Sequence, residues 1–165
     1  MSSEPGAGGR PPVGGPAGRS VTAAYSPAEW RLLTRLPGQV ISAAIAASAG
    51  GPGDQVAHTV AGLDGIAAGR SFDSDLVRAV AAAIYAETDR DRAPAGTGCP
   101  PTEVLARCRS VVRLLADRAD PADAAAYLQW VQSTAARVGP GDAGPGVAAG
   151  GRRFLTALGR ALGLA

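Results

Sequence analysis

An all-α fold, a compact bundle of five to six helices behind a disordered N-terminal tail, is predicted by three features of the sequence. Apolar residues recur at helical spacing in six segments, most of these segments open with helix-capping chemistry, and no useful length alternates with period two. A chain of 165 residues makes one domain the expectation, here 25–165, with 1–24 as the tail. Hydrophobic residues reach 46%, but much of that is alanine and only 4% of the chain is aromatic. The core is therefore thin, and each large side chain in it carries more than the usual weight.

Residues 1–24 are Gly, Pro, Ser and Ala with almost no large apolar side chain, too little to offset the entropy of ordering. The first helix is expected over 27–48. Ser26-Pro27-Ala28-Glu29 combines a cap, a proline at the first helical position and the acid of a capping box, and Tyr25 and Trp30 are spaced as a hydrophobic staple. Trp30, Leu33, Pro37, Val40, Ile41, Ala44, Ile45 and Ser48 then form one stripe, taken as the spine of the bundle. On that reading, Trp30→Ala costs about 3–5 kcal/mol. Pro37 either kinks this helix or breaks it, and the continuity of the stripe favours a kink.

Gly50-Gly51-Pro52-Gly53 separates the first helix from the second, expected over 54–68 with Val56, Val60, Leu63 and Ala67 facing inward. The third starts at Asp73, with Phe72 and Val77 as a second staple and Leu76, Val77, Val80 and Ile84 buried, and fades near Glu87. The fourth opens at Pro100-Pro101-Thr102-Glu103 and buries Val104, Cys108, Val111, Val112 and Leu115. Asp120-Pro121-Ala122-Asp123 opens the fifth, whose inner face is Ala124, Tyr127, Leu128, Val131, Ala135 and Val138. A flexible loop is expected over 139–151 and a short terminal helix over 152–163.

That last helix is amphipathic and basic. Arg152, Arg153, Phe154, Leu158, Arg160 and Leu162 make it the candidate partner-docking face, for a protein partner or a second copy, with membrane-surface contact as a lesser reading. The favoured outcome is that it packs back on its own domain, because an apolar helix face seeks the nearest core.

Several chemistries are excluded by composition. All 16 basic residues are arginine, so no Schiff-base lysine, lysine base or Walker-type phosphate loop exists. The absence of both Lys and Asn also fits a GC-rich genome. Cys99 and Cys108 match no metal or redox spacing, and His58 is the only histidine. Asp54 lies four residues before His58 and forms with it a weak candidate site, short of the three or four ligands zinc needs. Asp64, Asp73 and Asp75 do not complete it, so no metal, cofactor or catalytic residue is predicted. Arg107, Arg109, Arg113 and Arg118 on the fourth helix read as a solvated face. No helix-turn-helix pattern or interleaved aromatics accompany them, and nucleic acid is not the expected partner. No apolar run approaches the ~20 residues of a membrane span and no secretory signal is visible, so a cytoplasmic location is expected.

Two stretches resemble small bacterial helical proteins related to the TerB-like (tellurite-resistance B) group. One is Ser26-Pro27-Ala28-Glu29-Trp30-Arg31-Leu32-Leu33 with Pro37 and Val40. The other is Tyr127 to Val138, followed by Arg153-Phe154-Leu155 and Ala161-Leu162-Gly163-Leu164. The resemblance implies an all-α bundle with a cytoplasmic role in stress response or partner binding, without an established enzyme activity. The acidic positions typical of that group are replaced here by Ala49-Gly50-Gly51 and Gly150-Gly151-Arg152, so no ligand set carries over. The expected function is a non-enzymatic helical accessory or interaction protein. A small-ligand or hydrolytic domain using Asp54 and His58, and an arginine-mediated nucleic-acid binder, are the alternatives.

Overall fold

Ser26 starts the first helix by the reciprocal bonds its sequence predicts. The Glu29 amide donates to Ser26 Oγ at 3.3 Å, and the Ser26 amide donates to Glu29 Oε2 at 2.7 Å. The computed structural model describes residues 20–48, 52–90, 99–138 and 145–164, which form six α-helices and no strand. They are α1 (Pro27–Ala47), α2 (Pro52–Ala68), α3 (Asp75–Arg90), α4 (Pro101–Arg118), α5 (Pro121–Arg137) and α6 (Pro145–Ala161). The expected tail falls outside the described residues as far as 19. Beyond it, Val21–Ala24 is a 3-10 turn whose Val21 packs partly on the core, a correction to the disordered reading of those residues.

Pro37 neither breaks α1 nor ends it. A proline has no N–H to donate to the carbonyl four residues earlier, which here is Leu33. That carbonyl accepts instead from the buried Tyr127 hydroxyl at 2.8 Å. The tertiary contact replaces the missing helical bond, and the stripe on α1 continues into the core through Val40, Ile41 and Ala44. Removing the hydroxyl with Tyr127→Phe is expected to cost about 1–3 kcal/mol in chemical denaturation, the range for a buried acceptor left unpaired. The cost should shrink when Pro37→Ala is added, because alanine restores the helical N–H at that position; a cost that is additive in the double variant sinks this explanation.

Tyr127 belongs to a row on α5 that ties three other helices to it. Asp123, Tyr127 and Trp130 recur at i, i+4 and i+7 and share one face. Asp123 Oδ1 accepts from Ser74 Oγ at 2.5 Å, and Ser74 Oγ in turn accepts the Val77 amide at 3.3 Å to cap α3. The cap of α3 is therefore Ser74, one residue later than expected, which displaces the proposed Phe72–Val77 staple. Trp130 Nε1 donates to the Gly65 carbonyl at 3.0 Å. That oxygen is among the last four of α2, which lack a full set of helical donors. Tyr127 and Trp130 are the largest fully buried side chains and meet edge-on, with ring centroids 5.9 Å apart. Trp30, expected to head the spine, is only half-buried and stacks obliquely on Tyr25 at 6.1 Å.

α2 corrects the sequence reading most. Val56, Val60 and Leu63, expected inside, are 66%, 53% and 55% exposed. The inward face is His58, Gly62, Gly65, Ile66 and, just past the helix, Gly69. A Cβ on Gly62 would lie 2.6 Å from Ile41 Cγ2, and one on Gly69 would lie 2.7 Å from the Trp130 ring. Close approach of backbone to α1 and α5 outweighs burial of two valines and a leucine, because it lets the largest aromatic fill the gap and bond its N–H.

α6 is longer than expected. It begins at Pro145, a residue suited to a helix's first turn, so 145–151 of the expected loop is helical and only 139–144 lies outside the described residues. α1 and α5 form the middle of the bundle, with α2 and α3 packed on them from one side and α4 and α6 from the other.

Candidate functional site

Of the six residues expected to form a docking face, the structure keeps three at the surface. Arg152, Arg153 and Arg160 are exposed, while Phe154, Leu158 and Leu162 lie in the bundle's own core against α1, α4 and α5. The apolar half of the face is therefore unavailable to a partner or a membrane surface in this fold. A short apolar stripe beside an open core docks there.

His58 is buried on the inward face of α2, and Asp54 is exposed one turn earlier. Neither lines the three surface depressions described below, which are built from α1, α4 and α6 among the described residues. Among the described residues, no three His, Cys, Asp or Glu side chains gather to hold a metal ion.

The cysteines are similarly placed for packing. Cys108 is fully buried, and burial pushes its thiol up from 9.0 to about 11 despite the opposing field of Arg109. Cys99 is half-buried and its thiol is also raised, by desolvation and then by its hydrogen bond to Glu103. Thiolate is the reactive form, so one thiol at most should react with a bulky disulfide reagent in the native protein near pH 8, and both after denaturation. Fast native labelling of two thiols is the contrary result. For stability the sign follows from the raised value. Cys108 contributes fully below its ordinary 9.0, and the contribution is lost as pH climbs toward about 11. The buried Tyr127 hydroxyl, raised chiefly by desolvation, acts in the same alkaline direction.

Two surfaces remain, and only the fold reveals them. The first is the row Val56, Val60 and Leu63 along the outside of α2. The helix bearing it has Asp54 and Asp64 and no arginine. The signal that could have found it is the spacing of Gly62, Gly65 and Gly69, a small-residue stripe at i, i+3 and i+7 that marks the close-packed side and so sends the valines outward.

The second surface is basic. α1, α4 and α6 together carry nine arginines against three acids, whereas α2, α3 and α5 carry six acids against three arginines. Net charge of +2 hides this division. Arg109 and Arg113 of α4 and Arg160 of α6 line one depression of about 360 Å³. Arg160 also lines a second of about 400 Å³, with Arg152 and Arg153. On the other flank of α4, Arg107 shares a third with Arg31, Arg35 and Gln39 of α1. Arg107 pairs with Glu103, and Arg118 lies 3.6 Å from Glu29. The Glu29 carboxyl is held below the ordinary range mainly by the Ser26 amide, then by the Ser26 hydroxyl, with a smaller contribution from Arg118.

No family model, no curated protein and no solved structure matches this chain. Its own geometry therefore carries the functional reading.

Proposed function

We propose that the protein is a non-enzymatic helical interaction protein whose partner contacts α2. The observation that carries this reading is the exposed row Val56, Val60 and Leu63 on a helix whose other face is locked into the bundle. Single exposed aliphatics are ordinary, but three in register on one helix form a contiguous apolar strip of the kind that marks contact surfaces. Asp54 and Asp64 give that helix two carboxylates and no arginine, which suits a protein segment that is apolar at its centre and cationic at its margins. The resemblance to the TerB-like group points the same way, to partner binding in the cytoplasm. Among the described residues no helix is long and apolar enough to cross a membrane.

The test is a quantitative co-purification of the full chain beside the variant Val56→Ser, Val60→Ser, Leu63→Gln, with sedimentation to give the oligomeric state. These positions are exposed, so melting should stay within the ordinary surface range of about 0.5 kcal/mol. The reading expects a stoichiometric partner retained by the wild type and lost from the variant. Identical partners for both proteins, or a plain monomer in each with none, overturns it.

A further inference from the structure

The arginines of α4 and α6 are separate features in the sequence; the fold places them on one surface. Arg109 and Arg113 stand one turn apart on α4, roughly 6 Å along its axis. Arg160 faces the same depression from α6, and Arg152 and Arg153 extend the field along that helix. All five are exposed and none makes an ion pair among the described residues. α6 contributes no acid at all. We infer that this α4–α6 face is a sequence-independent binding surface for the phosphodiester backbone of a nucleic-acid duplex. This goes beyond the proposed protein contact, which lies on α2.

Three features select that ligand among polyanions. The depressions are open and shallow rather than enclosing, so they suit an extended row of phosphates better than a small anion. Protein interfaces bury an apolar centre, and membrane-surface helices insert large apolar side chains. The large apolar residues exposed among those described are Val56, Val60 and Leu63 on α2 and Leu164 past the end of α6, so the basic face offers at most Leu164 for either purpose. Single-strand binders stack bases on aromatic rings, and this face presents none, which leaves duplex backbone contact through guanidinium groups. Arginine suits that contact because its planar fork bonds phosphate oxygens in pairs.

Five neutralised phosphates imply a slope of log K against log salt near −4.5, or about a 500-fold loss of affinity between roughly 50 and 200 mM salt. The experiment measures anisotropy of a labelled mixed-sequence DNA duplex across that range, using the full chain. The variant Arg109→Gln, Arg113→Gln, Arg160→Gln should bind more weakly, with the salt effect reduced to about tenfold. Arg78→Gln with Arg137→Gln, on helices α3 and α5, should match the wild type, as should the α2 variant. Melting curves confirm that each variant is folded, and Arg152→Gln with Arg153→Gln provides a second reading if the triple variant is not. No binding at about 50 mM salt, binding that ignores the α4–α6 variants, or binding to phosphatidylglycerol vesicles without binding to duplex overturns the inference.

Discussion

Replacing Trp130 by alanine is expected to destabilise the protein by about 3–5 kcal/mol, a large share of the total stability of a domain this size. The indole is fully buried, its Nε1 donates to Gly65, and its ring lies against Tyr127 and under Gly69. Three losses coincide: apolar burial, an unfilled space between α2 and α5, and an α2 carbonyl without its donor. Trp30→Ala, expected on sequence grounds to be the comparable lesion, should cost only about 1–2 kcal/mol, because Trp30 is half-buried at the rim and removes less area from water. Guanidinium unfolding of both variants checks the ranking, and an equal or greater loss for Trp30 would count against the placement of α5. A cycle adds a sharper criterion. Gly69→Ala alone should destabilise by about 1–3 kcal/mol, since its Cβ meets the indole. In the Trp130→Ala background the same change should be neutral, or stabilising by up to about 1 kcal/mol, because the obstruction is gone and glycine is the more flexible residue when unfolded. Additive costs would mean the two residues do not touch.

Leu158→Ala is expected to cost about 2–5 kcal/mol and to loosen α6 before the rest of the bundle. Leu158 is fully buried between Phe154 and Leu162 on the stripe that seats α6. The helix has little order of its own. Gly150, Gly151 and Gly159 lie within it, each costing roughly 1 kcal/mol relative to alanine, so its order depends on packing rather than on propensity. Hydrogen exchange should show α6 amides losing protection first, with α5 amides following only at global unfolding. A loss below about 1 kcal/mol, the surface range, would mean that α6 is not docked. Its apolar stripe would then return as a partner surface.

The candidate surfaces were less legible than the helices. Arg152, Arg153 and Arg160 could be picked out as exposed cations, but whether they join Arg109 and Arg113 depends on how α4 lies against α6, which no local pattern states. Val56, Val60 and Leu63 are legible as an apolar row, but the period alone turns them to the wrong side. Periodicity identifies faces of a helix without saying which face meets the core when glycines offer a competing, closer approach. His58 shows the converse. It is legible as the one histidine, yet its burial one turn after the exposed Asp54 follows from the rotation of α2 that the glycines impose.

By itself the sequence determined that the chain is helical, where α1, α4 and α5 begin, and which faces of α1, α4 and α5 turn inward, because caps, prolines and apolar period act within a few residues of one another. The start of α6 and the turn at Val21–Ala24 escaped it, since both lie in Gly/Pro-rich composition that orders only against a core. The tertiary structure alone decided that Pro37 is tolerated, that Trp130 rather than Trp30 fills the centre, and that α2 shows its valines to water. Each of those outcomes rests on a contact between residues far apart in the chain: a tyrosine hydroxyl reaching an orphaned carbonyl, an indole reaching a helix end, and a glycine row that lets two backbones meet.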